Sequence, residues 1–474
     1  MNIFIQSRNY SCLASHVHLW ASVRTRPVVT MTETHKLDQI LPKSEDGNKA
    51  VPDPYGLVGP KKKFALLFGY NGIGYKGLQI NPGAKTIESE LENAICKTGV
   101  ILGSNQHDLQ KISWSRAART DKGVHALGQC VALKLCLKLG REEAFIQELN
   151  KVLPDSIKAF DCIRVANKFN AKFQCFGRIY EYWIPAYLLS SNETVCMYEP
   201  INANEENQKA ENIIKLQALQ KRLSDLKVEE AKLKLLETCL KKYEGTKDFH
   251  NFTVKVAPND PARKRFILSF KVDKSIVVDG MEMIKVAVEG QSFMLHQIRN
   301  MVGLAVEVTR NNLDPAIIDE AINAEYFPTP MAPGEGLALR ACQYGAYNKK
   351  YCVPIQESKK YIGFEPKSEK ENLIRRPIQF LEGHIADRIE KFGLNMILPA
   401  VVHNEKENCV FTKWLWDRAH ETFPKNISRK RLGAHSNYEK YKDEKATAKR
   451  LHKEAKITNR NVEINEKPEK EKSN

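Results

Sequence analysis

The sequence predicts an α+β protein of two or three domains. Alternating strand patterns and amphipathic helix patterns occur in two groups, and a charged helical stretch lies between them. The 474 residues exceed what one hydrophobic core usually organises, while a hydrophobic content of 42% supplies ample core material. No apolar stretch approaches the ~18 uninterrupted residues of a membrane-spanning helix, because Gly303 and Glu307 interrupt the long run at 301–308. We therefore expect no membrane insertion.

The first group, residues 61–190, is predicted to fold as one α+β subdomain. The apolar run 64–70, followed by Asn71 and Gly72, predicts a strand that enters a tight glycine-rich loop. A helix is predicted directly after Thr86, because apolar residues recur there at helical spacing and acidic residues occupy the first turn. The other elements expected in this group are strands at 111–118, 129–137, 157–165 and 178–185 and a helix at 141–152.

The charged insert at 191–245 is predicted to be an amphipathic helix or a helical hairpin, since its leucines recur mostly every three or four residues. Lys227 and Glu230 interrupt a sustained coiled-coil seam, so packing against a domain is favoured over a free coiled coil. A second α+β group at 246–352 and a helical C-terminal extension at 353–424 follow. Their expected elements are strands at 266–272, 283–289 and 337–342 and helices at 293–309, 315–324 and 378–392.

Both ends of the chain have compositions that do not predict a packed core. Residues 1–60 are expected to be a disordered arm, and within them residues 1–32 contain no Asp or Glu but interleave arginines with serines and apolar residues. This composition is typical of a mitochondrial presequence, with chance composition as the alternative. We expect a nuclear protein, started at Met31, with a mitochondrial form started at Met1. The basic tail at 425–474 is expected to add only unspecific phosphate contacts.

The charge balance favours a polyanionic partner. A formal net charge of +16 attracts nucleic acid at long range, and about half of the excess lies outside the basic tail. Nucleic acid is therefore the first partner to consider, and a merely solvated tail is the alternative. The 11 cysteines are scattered without any Cys-x-x-Cys pair, which favours reduced thiols over a disulfide framework or a zinc site.

One candidate catalytic stretch surrounds Asp121. Arg119 and Lys122 flank this carboxylate at the end of a predicted strand, and neighbouring cations favour the ionised form that serves as nucleophile or base. An ordinary turn is the alternative reading of Asp-Lys-Gly. His296 and Arg299 lie three residues apart in the predicted helix 293–309 and hence on one side of it. A buried Arg requires a carboxylate partner, and Asp121 is a candidate.

A second candidate stretch is the predicted strand 178–185. Arg178, Tyr180 and Tyr182 alternate there and share one face, which offers a cation for a phosphate and an aromatic surface for a base. Simple packing of the strand is the alternative.

Taken together, these stretches resemble the tRNA pseudouridine synthases of the TruA type. Residues 118–126, Ala-Arg-Thr-Asp-Lys-Gly-Val-His-Ala, resemble the catalytic loop of that family. Further matching stretches, all in the family's order, are 69–92, 169–182, 293–303 and 334–337, so the resemblance covers about residues 64–345. Leu78, where the bacterial pattern has a bulky aromatic residue, and the long charged insert both resemble the eukaryotic tRNA pseudouridine synthase 1 branch. We therefore expect a monomer rather than the bacterial homodimer.

The resemblance implies the pseudouridine synthase fold, in which two α+β subdomains with antiparallel sheets join around a central basic RNA-binding cleft. It also implies roles for individual residues. Asp121 is the expected nucleophile, with Arg299 paired to it, and Tyr180 is expected to stack on the target uracil. Leu337 is expected to pack on the other side of that base. The remaining residues expected to bind substrate are Arg119, which would enter the space left by the flipped nucleotide, and Arg178, Lys122 and His125.

The implied activity is the isomerisation of specific uridines in tRNA, and in other structured RNAs, to pseudouridine. The reaction breaks the bond between C1′ and N1 and rejoins the base through C5 without ATP or a redox cofactor. Accordingly, the sequence contains no P-loop, dinucleotide or metal-binding motif. Whether Asp121 acts at C1′ or removes a proton near the sugar stays open. The alternatives are a non-catalytic RNA-binding or tRNA-folding protein that uses the same cleft, and a glycosylase that cleaves without rejoining.

Overall fold

A computed structural model describes residues 53, 55–198, 209–254, 256–353, 360 and 374–420. Their strands and helices form an α+β fold, as predicted. The arm up to residue 52, including Met31, and the basic tail at 425–474 lie outside the described residues. The expectations for these two segments therefore stay predictions.

The strands within the described residues, in chain order, are β1 (Val58–Tyr70), β2 (Ser115–Arg116), β3 (His125–Leu137), β4 (Ile157–Arg164), β5 (Gly177–Pro185), β6 (Gly245–Asp248), β7 (Lys264–Val278), β8 (Met281–Gly290) and β9 (Leu337–Gln343). The α-helices are α1 (Ile87–Lys97), α2 (Glu142–Val152), α3 (Asn192–Cys196), α4 (Lys209–Ser224), α5 (Glu230–Lys241), α6 (Gln297–Arg310), α7 (Ala316–Asn323), α8 (Gly345–Tyr351), α9 (Gly383–Phe392), α10 (Leu398–Asn408) and α11 (Val410–His420). None of the described helices is long and apolar enough to cross a membrane.

All these strands belong to one mixed sheet, in the order β4-β1-β3-β9-β5-β8-β7-β6, with β2 added beside β3. Two antiparallel groups meet where β3 runs parallel to β9, with His125 opposite Ala338 and Ala126 opposite Leu339. Strand β5 pairs with both β8 and β9 and so lies in the second group, although it precedes the insert in sequence. The candidate loop at 119–123 therefore ends at the junction of the two groups.

Two elements near this junction are shorter than predicted. The expected strand 111–118 is reduced to β2, because Ser113 adopts a positive φ of 53° and the Trp114 N–H closes a turn onto the carbonyl of Leu109 at 2.8 Å. The helix expected from residue 293 begins only at Gln297, because His296 has a left-handed φ of 63°. A residue in that conformation cannot continue a right-handed helix, so the position of His296 was predicted wrongly.

The described part of the charged insert forms helices α3, α4 and α5, and it packs against the rest of the fold as predicted: α5 contacts β7 and α6, and α4 contacts α10 and α11. Leu236 and Leu240 on α5 are fully buried, and the Lys232 ammonium donates to the carbonyl of Arg310 at the end of α6 at 2.8 Å. Glu405 on α10 joins α4 to the C-terminal extension, accepting hydrogen bonds from Gln220 at 3.0 Å and from the Tyr187 hydroxyl at 2.6 Å. The extension also reaches the junction of the two strand groups, because a Cβ atom at Gly128 on β3 would lie 2.8 Å from the Phe380 ring.

Candidate active site

The loop at 119–123 is held by the segment that follows β1. The hydroxyl groups of Tyr70 and Thr120 share a hydrogen bond of 2.7 Å, and the Leu78 N–H donates to the Thr120 carbonyl at 3.2 Å. Gly77 has a positive φ of 100°, and a Cβ atom there would lie 2.8 Å from the same carbonyl. Only glycine fits such an approach. The backbone immediately before Asp121 is therefore fixed from two sides.

His125 lies two residues beyond the loop and is fully buried. Its Nδ1 accepts the Gly72 N–H at 3.1 Å, so its Nε2 carries the proton and donates to the Glu335 carbonyl at 2.8 Å. Burial lowers the pKa of His125 to about 4, which makes the ring neutral at pH 7. This corrects the prediction that His125 binds substrate, because neither ring nitrogen is free. His125 instead positions the loop at the sheet junction.

Asp121 has a side chain that is 31% exposed and therefore reachable by a ligand. Its Oδ2 lies 3.6 Å from the Nε2 of His296, which directly precedes α6. That distance is longer than a direct hydrogen bond, so the two side chains are neighbours without a hydrogen bond between them. The sequence placed His296 and Arg299 together on a helix and did not identify His296 as the neighbour of Asp121. The left-handed turn at His296 is what directs its ring there, and local helix periodicity gives no sign of it.

Arg299 lies on the first turn of α6 and binds the segment that leads to β9. Its Nε donates to the Ala332 carbonyl at 2.7 Å, and a Cβ atom at Gly334 would lie 3.6 Å from its Cζ. The same position would lie 3.2 Å from the Lys122 carbonyl, so the guanidinium is close to the loop backbone. Among the described residues Arg299 forms no ion pair with Asp121. The predicted pairing is therefore not made in this structure, which contains no RNA.

Arg178, Tyr180 and Tyr182 alternate along β5 and therefore share one face of the strand. Arg178 donates to the Ala117 carbonyl at 2.8 Å and to the Gln291 carbonyl at 3.2 Å, which ties β5 to the residues before the loop. Phosphate binding by Arg178 stays a prediction. Tyr182 donates its hydroxyl hydrogen to the Pro333 carbonyl.

Tyr180 is the middle residue on this face of β5. Its ring meets that of Phe293 edge to face, with centroids 5.2 Å apart. The residue is buried, with 7% of its surface accessible, and its hydroxyl makes no hydrogen bond within the described part of the chain. Burial of the residue raises the pKa of Tyr180 above its ordinary value of 10, so the hydroxyl is protonated at neutral pH.

The other predicted substrate contacts differ in accessibility. Arg119 and Lys122 are exposed, and no hydrogen bond or ion pair to a described residue engages the Arg119 side chain. Leu337 opens β9 opposite Tyr182 and is buried, with 6% of its surface accessible. Arg119 can therefore reach a ligand without breaking a protein contact, whereas Leu337 offers only a small apolar surface.

These side chains together form a site suited to a flipped base. The turn 293–296 joins its two sides, because Phe293 packs on Tyr180 and His296 approaches Asp121. A carboxylate, a protonated phenol and apolar surface can hold a planar uracil and act on the sugar bonded to it.

Comparison with known proteins places this arrangement in a family. Residues 239–345 match a family model described as tRNA pseudouridine synthase. The chain is 34% identical over 375 residues to tRNA pseudouridine synthase 1 of Kluyveromyces lactis, covering 68% of this chain and 65% of the relative. It is 30% identical over 379 residues to the pseudouridylate synthase 1 homolog of Mus musculus, covering 79% and 77%.

A third relative, tRNA pseudouridine synthase 1 of Saccharomyces cerevisiae, is 32% identical over 361 residues, with 65% of each chain covered. The chain thus spans just under two thirds of the two yeast relatives and more than three quarters of the mouse relative. The match agrees with the mixed α+β sheet. The chain therefore belongs to the TruA-type tRNA pseudouridine synthase family, whose members are isomerases.

Proposed function

We propose that this protein isomerises uridine to pseudouridine in tRNA and that Asp121 is the carboxylate that attacks the nucleoside. The observation that carries the proposal is the turn 293–296, which links an accessible carboxylate to a tyrosine whose hydroxyl has no hydrogen-bond partner among the described residues. A protein that only binds RNA does not require an accessible carboxylate in its cleft, since phosphate repels it.

The reaction needs a base that has left the helical stack, at a cost of a few kcal/mol. Arg119 is exposed two residues before Asp121 and its side chain has no partner in the described ranges, so it can fill the vacated stack. Tyr180 would stack on the uracil, and its protonated hydroxyl can donate a hydrogen bond to it. Leu337 would contact the opposite side of the base.

The chemical change is balanced without any cofactor. The bond from C1′ to N1 breaks, a bond from C1′ to C5 forms, C5 loses its proton and N1 gains one. Attack of the Asp121 carboxylate at C1′ resembles carboxylate catalysis at glycosidic carbons, while proton removal near the sugar would use the same group as a base. Both routes require the carboxylate, and neither requires a metal ion.

The test is to compare wild-type protein with Asp121→Asn, using Asp225→Asn at an exposed turn position directly after α4 as the matched control. Tritium released from tRNA labelled at uridine C5 measures pseudouridine formation, and filter binding measures affinity. We expect Asp121→Asn to lose turnover and to keep its affinity for tRNA, because affinity is spread over many phosphate contacts. More than trace turnover in Asp121→Asn would refute the assignment of Asp121 as the catalytic carboxylate. Free uracil among the products would identify a glycosylase instead.

Arg299→Leu gives a second, independent test of the site. We expect it to abolish turnover, because Arg299 holds the Ala332 carbonyl beside the loop and would pair with Asp121 when RNA is bound. A stable and fully active Arg299→Leu protein would remove that role.

We further propose that the protein acts as a monomer, modifies other structured RNAs besides tRNA, and occurs in the nucleus, with a mitochondrial form translated from Met1. Base-resolution mapping of pseudouridine in cells lacking the protein would identify the modified positions. Met31→Leu should deplete the nuclear form selectively, since translation from Met31 omits the presequence-like segment. An unchanged distribution of the protein between nucleus and mitochondria would support an N-terminal arm that has no targeting role.

A further inference from the structure

Phe173 is an exposed aromatic side chain that neither the core nor the site described above uses. Its ring is 78% exposed, and among the described large hydrophobic residues only Met197 is more exposed, at 81%. Leaving so much apolar surface in water is unfavourable, because burial of a Phe side chain typically contributes about 1.5–3 kcal/mol. A single exposed apolar side chain is ordinary on a protein surface, so the turn that holds Phe173 and the charge beside its ring decide whether it binds a ligand.

The turn that carries Phe173 is rigid. The Asn170 side-chain oxygen accepts the N–H groups of Lys172 at 3.0 Å and of Phe173 at 3.2 Å. The Asn170 N–H donates to the Gln174 side-chain oxygen at 2.6 Å, and the Gln174 N–H donates to the Asn170 carbonyl at 3.2 Å. Four hydrogen bonds within five residues hold the ring outward, so its exposure does not come from a loose loop.

The same turn is anchored to β2 and to Tyr344, directly after β9. The Ala171 N–H donates to the Ser115 hydroxyl on β2 at 3.1 Å, and the Tyr344 hydroxyl donates to the Ala171 carbonyl at 2.7 Å. Ser115 lies two residues before Ala117, whose carbonyl accepts a hydrogen bond from Arg178. The exposed ring is therefore attached to the same short strand that leads into the catalytic loop.

The charge around the ring fits RNA. Residues 167–178 contain no acidic side chain and carry Lys168, Lys172 and Arg178. The Lys172 ammonium lies 5.7 Å from the centroid of the Phe173 ring, and both side chains are exposed. A phosphate joins consecutive nucleosides, so a cation next to an aromatic face matches one base with its adjoining phosphate.

We propose that Phe173 and Lys172 form an RNA-binding subsite outside the catalytic centre. An unpaired nucleotide of the substrate tRNA stacks its base on Phe173 and places its phosphate on Lys172. This inference rests on the proposed function, because it takes tRNA as the ligand. It assigns the two residues to substrate affinity and positioning, with no part in the bond changes at the target uridine.

The experiment measures equilibrium tRNA binding at several salt concentrations with full-length variants. Phe173→Ala should raise the Kd about tenfold, or about 1.4 kcal/mol, at every salt concentration, because stacking is not screened by ions. Phe173→Tyr keeps the aromatic face and should bind within twofold of wild type. Met197→Ala removes an equally exposed apolar side chain beyond the opposite end of β5 and serves as the matched control.

Lys172→Ala has a different expected signature. It should lower the slope of log Kd against log salt concentration by about 0.7 to 0.9, because one phosphate contact is lost. Phe173→Ala should leave that slope unchanged. Neither substitution should lower the melting temperature by more than the Met197→Ala control does, since both side chains are exposed.

Failure of this inference is separable from failure of the proposed function. Wild-type affinity in Phe173→Ala, with pseudouridine still formed by the wild-type protein, would refute the subsite alone and favour a protein ligand for the turn. Equal losses of tRNA affinity in Phe173→Ala and Phe173→Tyr would refute stacking of a base on Phe173. Absence of pseudouridine in the wild-type reaction would refute the proposed function, while the binding comparison would still test whether Phe173 contacts RNA.

Discussion

Buried, neutral His125 makes the stability of this protein depend on pH. The ring is fully buried, with both nitrogens bonded to backbone groups from two different segments. Burial lowers its pKa from 6.5 to about 4 on folding. Between these values the unfolded chain binds more protons at this position than the folded one. Stability from His125 is therefore present above pH 6.5 and is lost as the pH falls towards 4.

The magnitude follows from the pKa difference. Each unit corresponds to 1.36 kcal/mol, and titration of the two states between pH 7 and pH 5 gives a loss of about 2 kcal/mol. A loss of this size is a large fraction of the ~5–15 kcal/mol that stabilises a typical domain. Because the folded protein keeps His125 neutral until the pH approaches 4, its hold on Gly72 and Glu335, and the activity that depends on it, should be lost only near that pH.

Urea denaturation at pH 5, 6 and 7 tests this expectation. The free energy of unfolding of wild-type protein should fall by about 2 kcal/mol more than that of His125→Gln, which cannot titrate. His125→Asn provides a second variant that cannot titrate, and contributions from other groups cancel in each comparison. Equal pH dependence in wild type and both variants would refute the reasoning.

Further predictions concern the packing around the loop. Gly72→Ala should destabilise the fold by about 1–3 kcal/mol and lower activity, because a Cβ atom there would lie 2.2 Å from the Val124 carbonyl oxygen. The control is Gly103→Ala, since no atom lies within 4 Å of its Cβ position. Equal melting temperatures of the two variants would contradict the prediction. Glu88→Ala should cost about 3–5 kcal/mol in urea denaturation, because it leaves the Arg116 guanidinium, 2.9 Å from the Glu88 carboxylate, without its buried partner. A loss no greater than that of Glu90→Ala, on the same helix, would show that the ion pair contributes little.

Local sequence patterns determined most of the elements. Helix α1 begins after Thr86 as expected, because the Thr86 side chain accepts the Ser89 N–H at 3.3 Å and Ser89 bonds back, forming a cap that is encoded within four residues. The buried run before Tyr70 likewise identifies β1, since a central strand buried on both faces reads as a continuous apolar segment. The order of motifs predicted the family, which the comparisons confirmed.

Only the tertiary structure decided what surrounds Asp121. Local periodicity placed His296 on a helix, but a positive φ stops the helix and brings the ring to 3.6 Å from the carboxylate. His125 resembled a substrate contact in its motif, yet pairing of β3 with β9 buries it between two distant segments. Neighbours within four or five residues encode caps and strands, because those interactions are local. Contacts between residues more than a hundred positions apart depend on how the two halves of the sheet join, and short-range patterns carry no information about that arrangement.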